Sequence, residues 1–430
     1  MNYKLSAIKA HPKYDNVMQW SKLISITGGS QIAIQVISFV CGIFIIRNLT
    51  ITEYALYTLA YTMLGSMDVL ADGGIVSGVT AEGGKVWQDK SKLGSVIVTG
   101  MNLRKKFAIA SVLINGAVLI YLLIHNDASW YYSLLILLSL IPVFYANLSD
   151  ALLEIAPKLH QDIKPLQKNQ LLANFGRLLL IIPAVFFAPF APVVLIASGI
   201  PRIIANIKLK TISDKFASPN EHENSEVKKN IIRMVRRILP GDIYNIFSVQ
   251  ITFWILSIVG SANAIAQVGA LFRIGMALSL MSVIFNTIII PRYSRMQEER
   301  KKLKANMIKI QLLLVGLGFA IVFFTWLFAS QIIWLLGDNY ANLEFELVLS
   351  IIILYLNIIA NVISSMCRGR GWVLNPLLSI TINLSTIIIG AFLLDIRSLV
   401  GVLLLNITVS GVLVVMHSIY SFKVLNRLEF

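Results

Sequence analysis

Apolar residues fall in long runs along this chain, and polar residues collect in the intervals between them. A helix that crosses the hydrocarbon of a bilayer needs about 20 predominantly apolar residues, each rising about 1.5 Å. Runs of that length predict twelve spans, at 23–47, 53–80, 107–125, 129–156, 168–188, 190–209, 240–260, 263–290, 307–336, 343–366, 373–394 and 397–422. The fifth and sixth are separated at Pro189 and Pro192, because proline inside a helical run breaks it. The pattern predicts an all-α, polytopic membrane protein.

Basic residues are retained on the cytoplasmic side of a membrane, so they orient the spans. Of the 37 Lys and Arg, 33 fall in alternate intervals. Arg47 and Arg397 lie on the opposite face, and Arg177 and Arg273 lie inside spans. Both termini are therefore expected in the cytoplasm, with 81–106, 210–237 and 292–306 as cytoplasmic segments. The stretch 210–237 lies at mid-chain and divides an N-terminal lobe, 1–209 with spans 1–6, from a C-terminal lobe, 238–430 with spans 7–12. A weak internal echo lays Glu53-Tyr54-Ala55-Leu56-Tyr57 on Gln267-Val268-Gly269-Ala270-Leu271. Parallel repeats of this kind are a transporter architecture, here two six-helix lobes around a central cavity.

Composition narrows the class further. Of 430 residues, 57% are hydrophobic and only 14% charged, with a mean hydropathy of +0.75. A soluble protein carries about 25% charged residues, so a water-soluble multidomain fold and a disordered chain are both excluded. The net charge of +15 would suggest nucleic acid in a soluble protein, but here it is distributed between apolar runs and implies no such partner. Cys41 and Cys367 sit within or at the end of apolar runs, and the five His are scattered, so no disulfide, metal site or cofactor is implied. The first twenty residues lack the apolar core of a signal peptide, and the first span is expected to serve as its own signal-anchor.

Charges inside spans carry the candidate chemistry, because each costs about 2.5–3.5 kcal/mol near mid-bilayer. Arg273 and Arg177 lie well inside the eighth and fifth spans. Each is either a structural tie or a cavity-facing cation for a diphosphate, which the planar guanidinium binds in a two-pronged fashion. Asp68 and Asp72 stand one turn apart on the second span. They are either bonded to Arg, Ser and Thr, or form a site for H⁺ or Na⁺, since two close carboxylates repel and one can hold a proton. Asp150 and Glu154 repeat that spacing near the inner end of the fourth span, as an interfacial pair or as gating partners of Lys158. Asp242 opens the seventh span. Gln31 with Gln35, and Asn357 with Asn361, each share a helical face, and Asn245 and Gln250 add amides in the seventh span. Such amides suit interhelical hydrogen bonds or sugar hydroxyls. Gly74 and Gly78 make a small-xxx-small step suited to close helix packing.

Several short strings, in order along the chain, resemble the polysaccharide flippases of the multidrug/oligosaccharidyl-lipid/polysaccharide exporter superfamily. They are Phe44-Ile45-Ile46-Arg47-Asn48-Leu49 followed by Thr52-Glu53-Tyr54-Ala55-Leu56-Tyr57, then Asp72-Gly73-Gly74-Ile75 within the second span, and Pro291-Arg292-Tyr293-Ser294 closing the eighth. Ala55 stands where glycine is usual in that family. The resemblance implies a transporter of the bacterial inner membrane that moves polyprenyl-pyrophosphate-linked oligosaccharides, such as O-antigen or capsule repeat units, outward by alternating access. No GxxxxGK[ST] loop is present to draw energy from ATP, so an H⁺ or Na⁺ gradient is the expected driving force, and other polysaccharide assembly proteins are the expected partners. The resemblance also favours Arg273 over Arg177, since the related lipid II flippases lead one to expect an eighth-helix arginine in the cavity. A multidrug or cation antiporter of the same superfamily is the alternative, and it would gain nothing from two buried arginines. A membrane glycosyltransferase or polymerase would need larger outer loops than HNDAS, GSANA or GDNYANLE, and the chain is not expected to be an enzyme.

Overall fold

The computed structural model describes residues 14–285, 289–290, 293, 296, 299–368, 370, 372 and 374–427. Among them there are helices and no strands. The helices are α1 Tyr14–Asn48, α2 Ile51–Asp72, α3 Ile75–Val86, α4 Lys90–His125, α5 Trp130–Leu153, α6 Ile155–Leu159, α7 Ile163–Phe187 and α8 Ala191–Ser213. After the link at 214–224 come α9 Ser225–Val259, α10 Ala262–Gly275, a 3₁₀ turn Met276–Leu278, α11 Ser279–Ile284, α12 Arg300–Leu327, α13 Ala329–Trp334, α14 Glu344–Arg368, α15 Pro376–Leu393 and α16 Leu399–Arg427. Among the described residues, eight helical stretches are long and apolar enough to cross a membrane, and Ala262–Leu278 and Leu377–Leu393 are shorter apolar helices. Only helices can satisfy every backbone group within a single spanning segment of the hydrocarbon, so long apolar runs fold this way.

Each predicted span lies mostly within a helix or a pair of consecutive helices, and the differences are local. The second span, 53–80, is broken where Gly73 (φ 48°) and Gly74 (φ 91°) leave the helical region, giving α2 and α3. Only glycine adopts such angles without strain. The fourth breaks at Glu154 and the ninth at Phe328. The segment 81–106, read above as a loop, is mostly helical: α3 runs to Val86, and α4 starts at Lys90, far ahead of the predicted start at 107. Leu93, Val96, Ile97 and Leu103 turn inward at helical spacing while Lys90, Lys92, Lys105 and Lys106 stay exposed. Residues 188–190 separate α7 from α8, with Pro192 in the first turn of α8.

The chain forms two compact units. Unit 1 holds residues 1–41, 63–120 and 131–243, and unit 2 holds 42–62, 121–130 and 244–430. In unit 1 a core of Ile75, Val79, Leu93, Val96, Ile97, Leu152, Ile155, Ile231 and Val235 joins α3, α4, α5, α6 and the first half of α9. Gly74 and Gly78 lie directly against Ile238 and Ile231, where a Cβ would come within 2.8 Å and 3.1 Å of α9. The link is strapped to α4: Ser218 N donates to Lys90 O (3.0 Å), Ser95 Oγ to His222 O (2.7 Å) and Asn224 N to Thr99 Oγ1 (2.9 Å). In unit 2 a core of Leu303, Met307, Leu314, Tyr355, Ile359, Val362, Met366 and Leu425 ties α12 and α14 to α16. The Tyr355 hydroxyl donates to Leu314 O at 2.7 Å. Arg47 donates to the carbonyls of Trp334 (2.5 Å) and Leu335 (2.9 Å), closing the C-terminus of α13 as a cation at that end of a helix should. Pro291, Arg292 and Ser294, and the side chains of Asp242, Asn245 and Gln250, lie outside the described residues.

Candidate functional sites

Tyr54, Tyr57 and Tyr61 follow one another at spacings of three and four, so they line one face of α2. Their rings stack, with centroids 6.0 Å apart between Tyr54 and Tyr57 and 5.8 Å between Tyr57 and Tyr61. Tyr340 meets Tyr54 edge-on at 6.3 Å. Arg273 of α10 lies against this ladder, only 7% exposed, with its guanidinium carbon 5.5 Å from the Tyr61 ring centre. Glycines make the room: a Cβ on Gly42 would fall 2.6 Å from Arg273 Cδ, and one on Gly269 would fall 2.7 Å from Thr58. Gly269 and Arg273 are one turn apart, so the close crossing with α2 is what seats the arginine. Arg273 takes part in none of the ion pairs among the described residues; its Nη1 lies 3.4 Å from Met276 Sδ. A cation over an aromatic face gains about 0.5–2 kcal/mol, less than the cost of removing it from water. The ladder makes the guanidinium tolerable and leaves its charge uncompensated by any carboxylate there.

Asn357 and Asn361, also in unit 2, are exposed on α14. Asn361 accepts from Ser365 Oγ (3.4 Å), which accepts in turn from Arg368 (2.9 Å). The strip from 357 to 368 is therefore polar, opposite the buried face of the same helix.

In unit 1 the two acids of α2 part company. Asp72 Oδ1 accepts from Val76 N (3.1 Å) and Oδ2 from Gly74 N (3.3 Å), capping α3 across the glycine break. The same Oδ1 lies 3.9 Å from Nε of Arg104, a residue 4% exposed that also donates to Leu148 O at 3.0 Å. Among the described residues Asp68 accepts a single hydrogen bond, from Asn147 Nδ2 at 2.8 Å, and its Oδ1 is buried with no hydrogen-bond partner. A third carboxylate, Asp150, pairs with Arg202 (2.6 Å) and accepts from Asn206 (2.6 Å). Three carboxylates thus face two guanidinium groups, and among the described residues Asp68 is the one of the three without an ion pair. Arg104 and Arg202 were missed by sequence reasoning, which counted both among the loop cations. Arg202 could have been found, since it stands inside the predicted span 190–209.

The amides of α1 face α7. Gln31 Nε2 lies 3.4 Å from the side-chain oxygens of both Gln167 and Gln170, and Ser38 Oγ lies 3.4 Å from Asn174 Oδ1. Gln170 donates to Glu154 (2.8 Å), which pairs with Lys158 at 2.6 Å. Gln35 continues the α1 face, and Arg177, half-buried, continues the α7 face that begins at Gln167, Gln170 and Asn174. Gln31, Gln35, Asp68, Asp72 and Arg177 therefore belong to unit 1, and Arg273, Asn357 and Asn361 to unit 2.

No family model matches the chain, and no curated protein matches it. Solved structures do. An inward-facing multidrug resistance MATE family transporter of the MOP superfamily matches with a TM-score of 0.67 at 15% identity, over 92% of this chain and 96% of that one. The lipid II flippase MurJ, in an inward closed conformation, also gives 0.67, at 13% identity over 92% of this chain and 86% of its own. The fold is that of MATE transporters and MurJ. An outward-facing MATE family structure matches over 97% of both chains, with a TM-score of 0.59 and 14% identity. The MATE/MurJ fold agrees with the helical, polytopic architecture expected from the apolar runs.

Proposed function

We propose that this membrane protein translocates polyprenyl-pyrophosphate-linked oligosaccharide repeat units from the inner to the outer leaflet of the bacterial cytoplasmic membrane. It works by ion-coupled alternating access between six-helix lobes, 1–209 and 238–430, with both termini in the cytoplasm. The observation that carries this reading is Arg273: a buried guanidinium held by tyrosines, with no carboxylate in ion-pair range among the described residues. A cation kept at that cost suits an anionic cargo, and a diphosphate matches its fork. Arg177 adds a second cation, and the amides Gln31, Gln35, Asn357 and Asn361 offer groups for sugar hydroxyls. MurJ, a lipid II flippase, shows that a lipid-linked cargo is compatible with this fold. Coupling is assigned to Asp68, whose buried Oδ1 accepts no hydrogen bond among the described residues and is the atom to take a proton or Na⁺, while Asp72 holds the α2–α3 break beside it. A ligand shifts a two-state equilibrium only through differential affinity, and an acid that gains and loses a cation supplies that difference.

MATE transporters share the fold equally well, so a multidrug or cation antiporter is the competing reading. Arg273 separates the two. In proteoliposomes carrying a lipid-diphosphate oligosaccharide, Arg273→Gln should abolish transfer and Arg273→Lys should lose most of it. Asp68→Asn should remove the dependence on an imposed H⁺ or Na⁺ gradient. Full activity in Arg273→Gln would refute the anionic cargo. Full gradient dependence in Asp68→Asn would move coupling elsewhere.

A further inference from the structure

Outside these sites, unit 1 contains a cavity of 340 Å³ walled by α4, α5, α8 and the link. Its lining mixes polar Asn102, Lys105, Lys210 and Asp214 with apolar Ile97, Met101 and Leu153. Neither lysine takes part in an ion pair among the described residues, so two cations against one carboxylate leave the lining with a formal charge of +1. Its depth is set twice over. Lys105 is followed on α4 by Lys106 and then the apolar run from Phe107, and Lys210 closes the apolar run of α8. Both helices thus put the cavity where hydrocarbon gives way to headgroups. Tyr145, 61% exposed at its edge, is the residue type enriched at that level.

We propose that this cavity binds an anionic phospholipid, with the phosphate between Lys105 and Lys210 and the first acyl carbons along Ile97, Met101 and Leu153. The apolar lining residues distinguish a lipid from free phosphate, for which they would be useless. The excess positive charge distinguishes a lipid of net charge −1 from a zwitterionic one. The inner wall adds a consequence: Asn206 and Ser149 line the cavity, and Asn206 donates to Asp150 and Ser149 at 2.6 Å each. A seated headgroup lies one hydrogen bond from the carboxylate–guanidinium network.

The test is native mass spectrometry of the delipidated full chain in detergent, titrated separately with phosphatidylglycerol, phosphatidylethanolamine and inorganic phosphate. Wild type should retain phosphatidylglycerol in preference to phosphatidylethanolamine. Lys105→Gln/Lys210→Gln should weaken its binding about tenfold or more. The exposed pair Lys164→Gln/Lys168→Gln on α7 removes the same charge outside the cavity and should change it little. All four lysines are exposed, so folding is spared, and thermal melting checks this. Equal loss in both double variants, equal binding of the zwitterionic lipid, or displacement of phosphatidylglycerol by inorganic phosphate would each overturn the proposal.

Discussion

Removing the charge of Asp72 tests whether this acid is a fixed counter-ion, which decides whether Asp68 alone is free to carry a coupling ion. In Asp72→Asn the one remaining side-chain oxygen can accept from either Gly74 N or Val76 N, so one of the two caps is kept, and asparagine caps about as well as aspartate. What goes, besides the second cap, is the charge facing Arg104. Breaking a buried ion pair costs about 3–5 kcal/mol. Here the separation is long at 3.9 Å, the acid is 26% exposed, and Asp68 and Asp150 still act on the guanidinium. About 1–3 kcal/mol is therefore expected, with about 1 kcal/mol more in Asp72→Ala, where the cap is lost as well. Arg104→Met alone should cost a similar amount, because it leaves Asp72 without its cation and the Leu148 carbonyl without its donor. The double variant Asp72→Asn/Arg104→Met should be less damaged than the sum by about 1–2 kcal/mol, the coupling expected of charges in contact. Reversible unfolding in mixed detergent and SDS micelles measures all three. Strict additivity, within about 0.5 kcal/mol, would refute the pairing and return Asp72 to the candidates for ion binding.

Two further predictions follow from local geometry. Gly73→Ala should cost about 1–2 kcal/mol from its left-handed φ, and Gly73→Asn less, whereas Gly74→Ala should cost about 2–5 kcal/mol because its Cβ also meets Ile238 at 2.8 Å; the same unfolding assay ranks them, and an equal or reversed order would contradict the packing. Single cysteines at Ser91, Asn224 and Glu299 should all label from the cytoplasmic side, on a background kept silent by the burial of Cys41 and Cys367, and outside labelling of Asn224 would overturn the orientation.

The helices were legible because hydrocarbon demands long apolar runs, and each predicted span lies mostly on helix. The N-terminal half of α4 escaped notice for the opposite reason. Its cations counted as loop charge, although Leu93, Val96, Ile97 and Leu103 keep helical spacing among them. The glycine break after Asp72 was hidden because membrane helices tolerate glycine, and only a neighbour such as Ile238 makes it obligatory. Pairings across the chain were out of reach. Asp68 meets Asn147, 79 residues away, and nothing local to either position says which helices will be neighbours. The tyrosine spacing on α2 was visible, but its use as a seat for Arg273 depends on Gly42 and Gly269, whose value is the volume they leave empty.

The strapped link bears on where this polypeptide could be cut. A break between Pro219 and Asn220 leaves a stub on each side that is already fastened to α4, one through Ser218 and the other through His222 and Asn224. The second fragment would begin with residues 220–243, which complete the core of unit 1 through Ile231 and Val235, before entering unit 2 partway along α9. Fragments 1–219 and 220–430, made as separate polypeptides, are thus interlocked by a helix that one supplies and the other needs. Gene fission at that point should yield two chains that co-purify.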